Sequence, residues 1–298
     1  MMEARFPIRL IAMDLDGTLI DTDLGLRPRT IAAFRAAVAD GVQITVATGR
    51  MAKSARPFAE GLGQTAPIIA YQGALIREMW EPGAPLGKLL FHRPLPAAVA
   101  RETLIWSAEH GLAAHVNHLE RFVLPASDPR ADDYSAFLGA RAEIVPDLLA
   151  WVRRPVTKIL AVAPAPLPTQ LLPIARAHFA GRAEVTVSHP EFLEFLAPQV
   201  SKGAAVRFLA RRLGIPLEQT MAIGDQFNDL EMIAYVGHGV AMAGAPPEVQ
   251  AAARYIAPPV ADEGAAQVVE ALVLPGREGS RGVGPFLREP VLSGAGRS

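Results

Sequence analysis

Two aspartates, Asp14 and Asp16, stand two positions apart where a short apolar run, Ile8 to Met13, gives way to Asp14-Leu15-Asp16-Gly17-Thr18. Two further apolar runs end in the same manner. Val42 to Ala47 stops at Thr48-Gly49-Arg50, and Thr220 to Ile223 stops at Gly224-Asp225-Gln226-Phe227-Asn228-Asp229. A carboxylate can act as a nucleophile. Carboxylates bunched this closely repel one another unless a cation sits among them. The donors are all hard oxygens, which suits Mg²⁺, and magnesium in turn prefers one or two carboxylates plus phosphate oxygens. Lys202 opens a helical stretch, where its own charge and the helix dipole both favour an anion. Metal, lysine and backbone N–H groups together would cradle a phosphoryl group.

These groups can cooperate only if the fold delivers them to one edge. Ile8 to Met13 reads as a buried strand of a parallel sheet. Pro28 opens a helical pattern with Ile31, Phe34 and Val38 on one face, ended by Gly41. Val42 to Ala47 is the next strand, so the unit is a right-handed crossover. A third run from 67 to 71 reaches Gln72-Gly73, and Ala74 to Met79 reads as the return arm of a hairpin. Ser201 caps a helix predicted over Lys202 to Leu213, with Gly214 past its end. Thr220 to Ile223, Ala234 to Val240 and Ala251 to Ile256 read as further strands. Ligands of open α/β sheets bind beyond the carboxyl ends of the strands, where all three polar groups would stand.

About 30 residues separate Asp16 from Thr48, which one crossover fills, whereas about 150 separate Thr48 from Lys202, far more than such units need. An inserted domain is therefore expected between them. The division predicted is a catalytic core from 1–83 and 190–274, an α+β cap from 84–189, and a disordered tail from 275–298 that is rich in Gly, Arg and Pro. Within the cap region Ala97 to His110 reads as a helix, and Arg121 to Leu124, Val156 to Ala163 and Glu184 to Val187 read as strands. No catalytic signature stands out there.

The bulk numbers bound the rest. Of 298 residues half are apolar, and 29 Lys and Arg nearly balance 30 Asp and Glu, so no nucleic-acid groove is expected. Cysteine is absent, which rules out disulfides and thiolate chemistry and fits a reducing compartment. Neither a signal peptide nor an apolar run of about 18 residues is seen, so a cytoplasmic protein without membrane spans is expected. Oligomeric state is not legible. His115 and His118 are the closest pair of histidines, but no partner at ligand spacing makes them a metal site.

In its four motifs, Asp14-Leu15-Asp16-Gly17-Thr18, Thr48-Gly49, Lys202 and Gly224-Asp225-Gln226-Phe227-Asn228-Asp229, taken in that order, the chain resembles the haloacid dehalogenase-like hydrolases, and among them the Cof-type phosphatases. Val200-Ser201-Lys202-Gly203 and Gly239-Val240-Ala241-Met242 add to the likeness, which spans roughly residues 8 to 274. The resemblance implies a Rossmann-like parallel sheet with helices on both faces and a type 2 cap between the second and third motifs. It implies a Mg²⁺-dependent phosphatase acting on a small phosphorylated substrate, such as a sugar phosphate or phosphorylated cofactor, through an aspartyl phosphate. By position, Asp14 would be the nucleophile and Asp16 the general acid and base. Thr48, Gly49, Lys202 and Asn228 would hold the phosphate. Asp14, Asp16 through its backbone carbonyl, Asp225 and Asp229 would form the metal site, Asp229 in support. A phosphomutase or specialised sugar-phosphate phosphatase on the same scaffold, or a non-catalytic phosphate binder, remain open alternatives. One departure is visible: Gln72-Gly73-Ala74 stands where the subfamily usually has Asn-Gly-Ala. Arg50 reads as either a substrate contact or a structural ion pair.

Overall fold

The computed structural model describes residues 7–21, 25–79, 86–128 and 141–274. Residues 80–85, around the predicted core–cap boundary at 83, and the expected disordered tail at 275–298 lie outside the described residues. The chain begins with β1 (Leu10–Met13), β2 (Gln43–Val46), β3 (Ile68–Ala70), β4 (Leu75–Arg77) and β5 (Leu89–His92). It continues through β6 (Ala113–His118), β7 (Arg121–Pro125), β8 (Glu143–Val145), β9 (Lys158–Val162), β10 (Glu184–His189) and β11 (Phe192–Leu196). It returns with β12 (Thr220–Gly224), β13 (His238–Met242) and β14 (Tyr255–Ala257).

Five of these strands make a parallel sheet in the order β14-β13-β12-β1-β2. All four residues of β1 are buried, as expected of a strand covered on both faces. The helix Pro28–Ala39 starts at its proline and buries Thr30, Ala33, Phe34 and Ala37. Its inward stripe is thus turned from the predicted one, with Ile31 and Val38 only half-buried at its margins. In register, Met13 lies level with Val46 on one side and Ile223 on the other. The residues that follow these three positions therefore leave the sheet along one edge.

Two expected strands are corrected. Ala234 to Val240 divides into the end of a helix, Leu230–Tyr235, and the start of β13; Ala251 to Ile256 divides into the end of the helix Pro247–Ala252 and the start of β14. A short helix running straight into a buried strand reads as one apolar run, and periodicity over so few residues does not separate them.

Between the second and third motifs lies a second layer, a six-stranded sheet in the order β10-β11-β9-β6-β7-β8. The predicted boundary at 189 falls between β10 and β11, which pair antiparallel, and β11 pairs in turn with β9. At the other end β5, inside the predicted cap, pairs with β4 beside the core. Alternation along these strands sorts side chains by face. Val123, Ile159, Ala161, Val185, Leu193 and Phe195 pack with the helices Ala97–Glu109 and Leu167–His178. Phe122, Leu124, Leu160, Val162 and Leu196 join the cluster that holds the core of the parallel sheet. One face of the cap therefore looks at the catalytic layer. Among the described residues, no helix is long and apolar enough to cross a membrane.

The helix Lys202–Leu213 is stopped at both ends as the sequence predicts. Ser201 accepts a hydrogen bond from Ala204 N at 3.0 Å, and Gly214 follows at φ 66°. Ser201→Ala should cost about 1 kcal/mol, the usual worth of such a cap. Thermal unfolding would check this, and an unchanged melting temperature would mean that packing alone fixes the helix start.

Candidate active site

Asp14 follows β1, and its N–H donates to Ile223 O at 3.0 Å, so the parallel ladder reaches the residue itself. Thr48 N donates to Ile69 O at 3.0 Å beyond β2, and Asp225 follows the last residue of β12. The ends of these three strands thus bring Asp14, Thr48 and Asp225 together at one edge. Lys202, at the first position of its capped helix, is fully buried and reaches in from the side. Its Nζ lies 2.7 Å from Asp14 Oδ1 and 2.7 Å from Asp229 Oδ1.

Each oxygen of Asp229 is already engaged. Oδ1 accepts from Lys202, and Oδ2 accepts from the backbone N–H of Asp225 at 3.0 Å and of Gln226 at 3.1 Å. Asp225 Oδ1 accepts from Thr18 Oγ1 at 2.9 Å. Gly17 (φ 83°) lets the first loop pass here, since a Cβ would come within 2.4 Å of Asp225 Oδ2. Thr48 is buried, and its Oγ1 accepts from Arg50 N at 3.1 Å. Arg50 is the structural partner of Asp16: Nε donates to Oδ2 at 2.8 Å and a terminal nitrogen donates to Oδ1. The Asp16 side chain remains 40 % exposed, unlike that of Asp14 at 7 %. The two carboxylates of the first motif therefore face different surroundings.

Electrostatics follow from burial. Loss of water pushes the Asp14 carboxyl well above its usual range; Lys202 opposes this, while Asp229, Asp225 and Asp16 add to it. Burial and the charge of Asp229 push Asp225 up to about 7 against the Thr18 hydrogen bond. Burial alone would lower Lys202, but Asp14 and Asp229 hold it above its ordinary value. One lysine thus leaves the cluster short of positive charge. Oxygens of Asp14, Asp225 and Asp229 lie within 4.8 Å of one another. The hard-oxygen donor set fits Mg²⁺, and the hydrogen bonds favour Asp14 and Asp225 as its holders, with Asp229 orienting Lys202 and the loop.

The remaining expected residues are nearby. Asn228 Nδ2 donates to Gln72 Oε1 at 2.9 Å. Gly49 presents its carbonyl to Lys158 Nζ at 2.8 Å. Lys158, Ser188 and Glu194 come from the cap and were not anticipated; for Lys158 and Glu194 the signal was a charge within an otherwise apolar strand. Lys158 opens β9, Lys-Ile-Leu-Ala-Val, and Glu194 is central in β11, Phe-Leu-Glu-Phe-Leu. His115 and His118 stand three apart on β6, hence on opposite faces. His115 is buried in the cap with Nε2 2.9 Å from Asp128 Oδ2, a partner that spacing did not reveal.

Comparison with known proteins gives one consistent result. A family model described as haloacid dehalogenase-like hydrolase matches residues 11–269. An HMP-PP phosphatase of Serratia proteamaculans is 32 % identical over 249 residues, covering 81 % of this chain and 86 % of the relative. An HMP-PP phosphatase of Escherichia coli is 29 % identical, covering 82 % and 87 %. The crystal structure of a haloacid dehalogenase-like hydrolase from Bacteroides thetaiotaomicron superposes with a TM-score of 0.76 at 27 % identity, covering 88 % of this chain and 98 % of the other.

The crowding of carboxylates has a measurable sign. With its pKa raised to about 7, Asp225 holds a proton in the folded chain that the unfolded chain gives up in the ordinary carboxylate range. Between those limits the folded state binds the extra proton, so stability without metal should fall as pH rises through about 7. Asp225→Asn should remove much of that slope and stabilise the metal-free protein at pH 8 by on the order of a few kcal/mol. Melting curves in chelator at pH 6 and pH 8 test it; a higher melting temperature at pH 8 would contradict the assignment.

Proposed function

The chain belongs to the haloacid dehalogenase-like hydrolases, in their Cof-type branch, and from that premise we propose that it is a Mg²⁺-dependent phosphatase of small phosphorylated metabolites that works through an aspartyl phosphate on Asp14. The observation that carries this reading is the buried lysine between two carboxylates at the strand ends. Lys202 fixes Asp14 Oδ1 and remains charged, so an oxygen nucleophile and a cation for the phosphoryl group stand side by side. HMP-PP phosphatases among the relatives support a small phosphorylated substrate.

In the first step an Asp14 oxygen bonds to phosphorus, the bond from phosphorus to the ester oxygen breaks, and Asp16 gives its proton to the departing oxygen. In the second step Asp16 takes a proton from water, the water oxygen bonds to phosphorus, and the bond to Asp14 breaks to release inorganic phosphate. Asp16 suits both roles because it is partly exposed and stands two residues from the nucleophile. Arg50, which engages both its oxygens, must loosen its hold when the proton moves. Thr48, the Gly49 backbone, Lys202 and Asn228 hold the phosphoryl oxygens. Asp14 and Asp225 would hold Mg²⁺, with the Asp16 carbonyl, and the ion when bound supplies positive charge against the phosphate. Asp229 keeps Lys202 and the 225–226 loop in place. The near balance of charge gives no reason to expect a nucleic-acid substrate.

The two aspartates of the first motif are separable by experiment. Asp14→Asn keeps the shape but is a poor nucleophile, so it should form no phosphoenzyme. Asp16→Asn loses general acid–base catalysis, about 10²–10⁴-fold, so with a nitrophenyl ester it should accumulate phosphate on Asp14. Mass spectrometry of the trapped proteins tests this, and label on a serine, threonine or histidine would overturn the nucleophile. Chelation should abolish turnover in the wild type, whereas full activity in chelator would remove the metal from the mechanism.

A further inference from the structure

Gln72 occupies an unusual place. It lies in a tight turn at φ 57° and ψ 21°, directly after Tyr71 at φ 52°, and its N–H donates to Thr48 O at 2.9 Å. Side-chain-bearing residues seldom adopt this left-handed backbone, and where they do, the surrounding structure must hold them there. The side chain is buried, and both ends of its carboxamide are used. Oε1 accepts from Asn228 Nδ2 at 2.9 Å, and Nε2 donates to Glu194 Oε1 at 3.2 Å. Asn228 belongs to the catalytic core and Glu194 to the cap, so one side chain bridges the two layers.

The cap end of this bridge is itself anchored. Glu194 Oε2 accepts from Lys158 Nζ at 2.8 Å, and its Oε1 also accepts from Ser188 Oγ. Lys158 Nζ donates to Gly49 O at 2.8 Å. Both cap charges thus meet the core next to Thr48, one through the following residue Gly49 and the other through Gln72, whose N–H bonds Thr48 O. Gly49 leaves room for the crossing: a Cβ there would lie 2.5 Å from Gln72 Nε2 and 3.3 Å from Glu194 Oε1.

We propose that Gln72 is a positioning residue that transmits the seating of the cap to Asn228, through the path Lys158–Glu194–Gln72–Asn228. The two N–H bonds of an amide nitrogen share a plane, so anchoring one on Gln72 directs the other. With the cap seated, Glu194 fixes the Gln72 carboxamide and Gln72 fixes that of Asn228. With the cap lifted, Gln72 loses its acceptor and Asn228 loses its orientation. The length of glutamine is essential here. An asparagine, shorter by one carbon–carbon bond of about 1.5 Å, cannot hold both partners. The part of Asn228 in holding phosphate rests on the phosphatase reading; the relay itself does not.

The test uses the full chain with Mg²⁺ and a double-mutant cycle of Gln72→Asn and Glu194→Gln. The readouts are the side-chain N–H signals of Asn228 in NMR, inorganic phosphate binding, and turnover of nitrophenyl phosphate. Each single variant should shift the Asn228 signals to a similar place and weaken phosphate binding about tenfold, the worth of one hydrogen bond, with the pair no worse than either alone. Lys158→Met with Glu194→Leu removes the ion pair without orphaning a buried charge, and it should give the same shift even if Glu194→Gln folds poorly. Asn228 signals that move in Gln72→Asn but stay put in both cap variants, or effects on binding that add, would overturn the relay. If the wild type turns over no ester while the Asn228 signals follow the cap variants, the phosphatase reading fails and the relay stands.

Discussion

The site depends on one arrangement of charge: an ammonium with no contact to water, shared between two carboxylates. Burying an isolated ion costs several kcal/mol, so Lys202 can lie where it does only because Asp14 and Asp229 meet it. Each partner in turn needs its place in the fold. Asp14 is set by the ladder of β1, Asp229 by backbone N–H groups after β12, and Lys202 by the Ser201 cap that fixes the first turn of its helix. Removing Lys202 would leave both buried carboxylates without their counter-ion. The same arrangement that makes the cluster costly also makes it specific, since the parallel register leaves little freedom in where the strand ends fall.

Much of this was legible because buried parallel strands read as unbroken apolar runs. A polar group that halts such a run must stand at the edge of the sheet, so Asp14, Thr48 and Asp225 could be placed together without knowing the order of the strands. The helix after Ser201 was equally plain, with a capping serine at one end and glycine at the other. Other helices were hidden by their composition. Ala52–Leu62 carries Pro57, and Leu167–His178 carries Pro173; prolines normally argue against a helix interior. The strands at 238 and 255 were displaced because each follows a short apolar helix with almost no interruption.

The cap was legible as an insertion by length alone, but not in its contribution to the site. Its relevant residues lie on three strands, and only pairing across the sheet shows that they converge. Alternation nevertheless carried a trace of them. On β9, Ile159 and Ala161 pack with the cap helices, which turns Lys158, Leu160 and Val162 to the other face; on β11, Leu193 and Phe195 do the same for Glu194. A lysine and a glutamate on the apolar inner faces of neighbouring strands are costly unless they pair, and pairing fixes which face meets the core. The Gln72 departure was visible in the sequence too, yet its meaning depended on Glu194, more than a hundred residues away.

Asp225 and Asp229 illustrate how identical side chains are given different work. Both follow β12 and both are buried, and in the sequence only the family resemblance ranks them, with Asp229 in support. Their hydrogen bonds give the physical reason. Asp229 spends one oxygen on Lys202 and the other on two backbone N–H groups, so its charge is balanced and its lone pairs are committed. Asp225 has the Thr18 hydroxyl on one oxygen and the charge of Asp229 close by, and burial pushes it up to about 7. A carboxylate in that condition is stabilised far more by a divalent cation than one already neutralised by a lysine. The same reasoning separates Asp14 from Asp16: the first is buried against Lys202, whereas the second is partly in water and held through both oxygens by the buried Arg50 guanidinium. Residue type supplies four carboxylates; on the proposed mechanism it is their surroundings that suit Asp14 to attack, Asp16 to move protons, Asp225 to join Asp14 in holding the metal and Asp229 to hold the lysine.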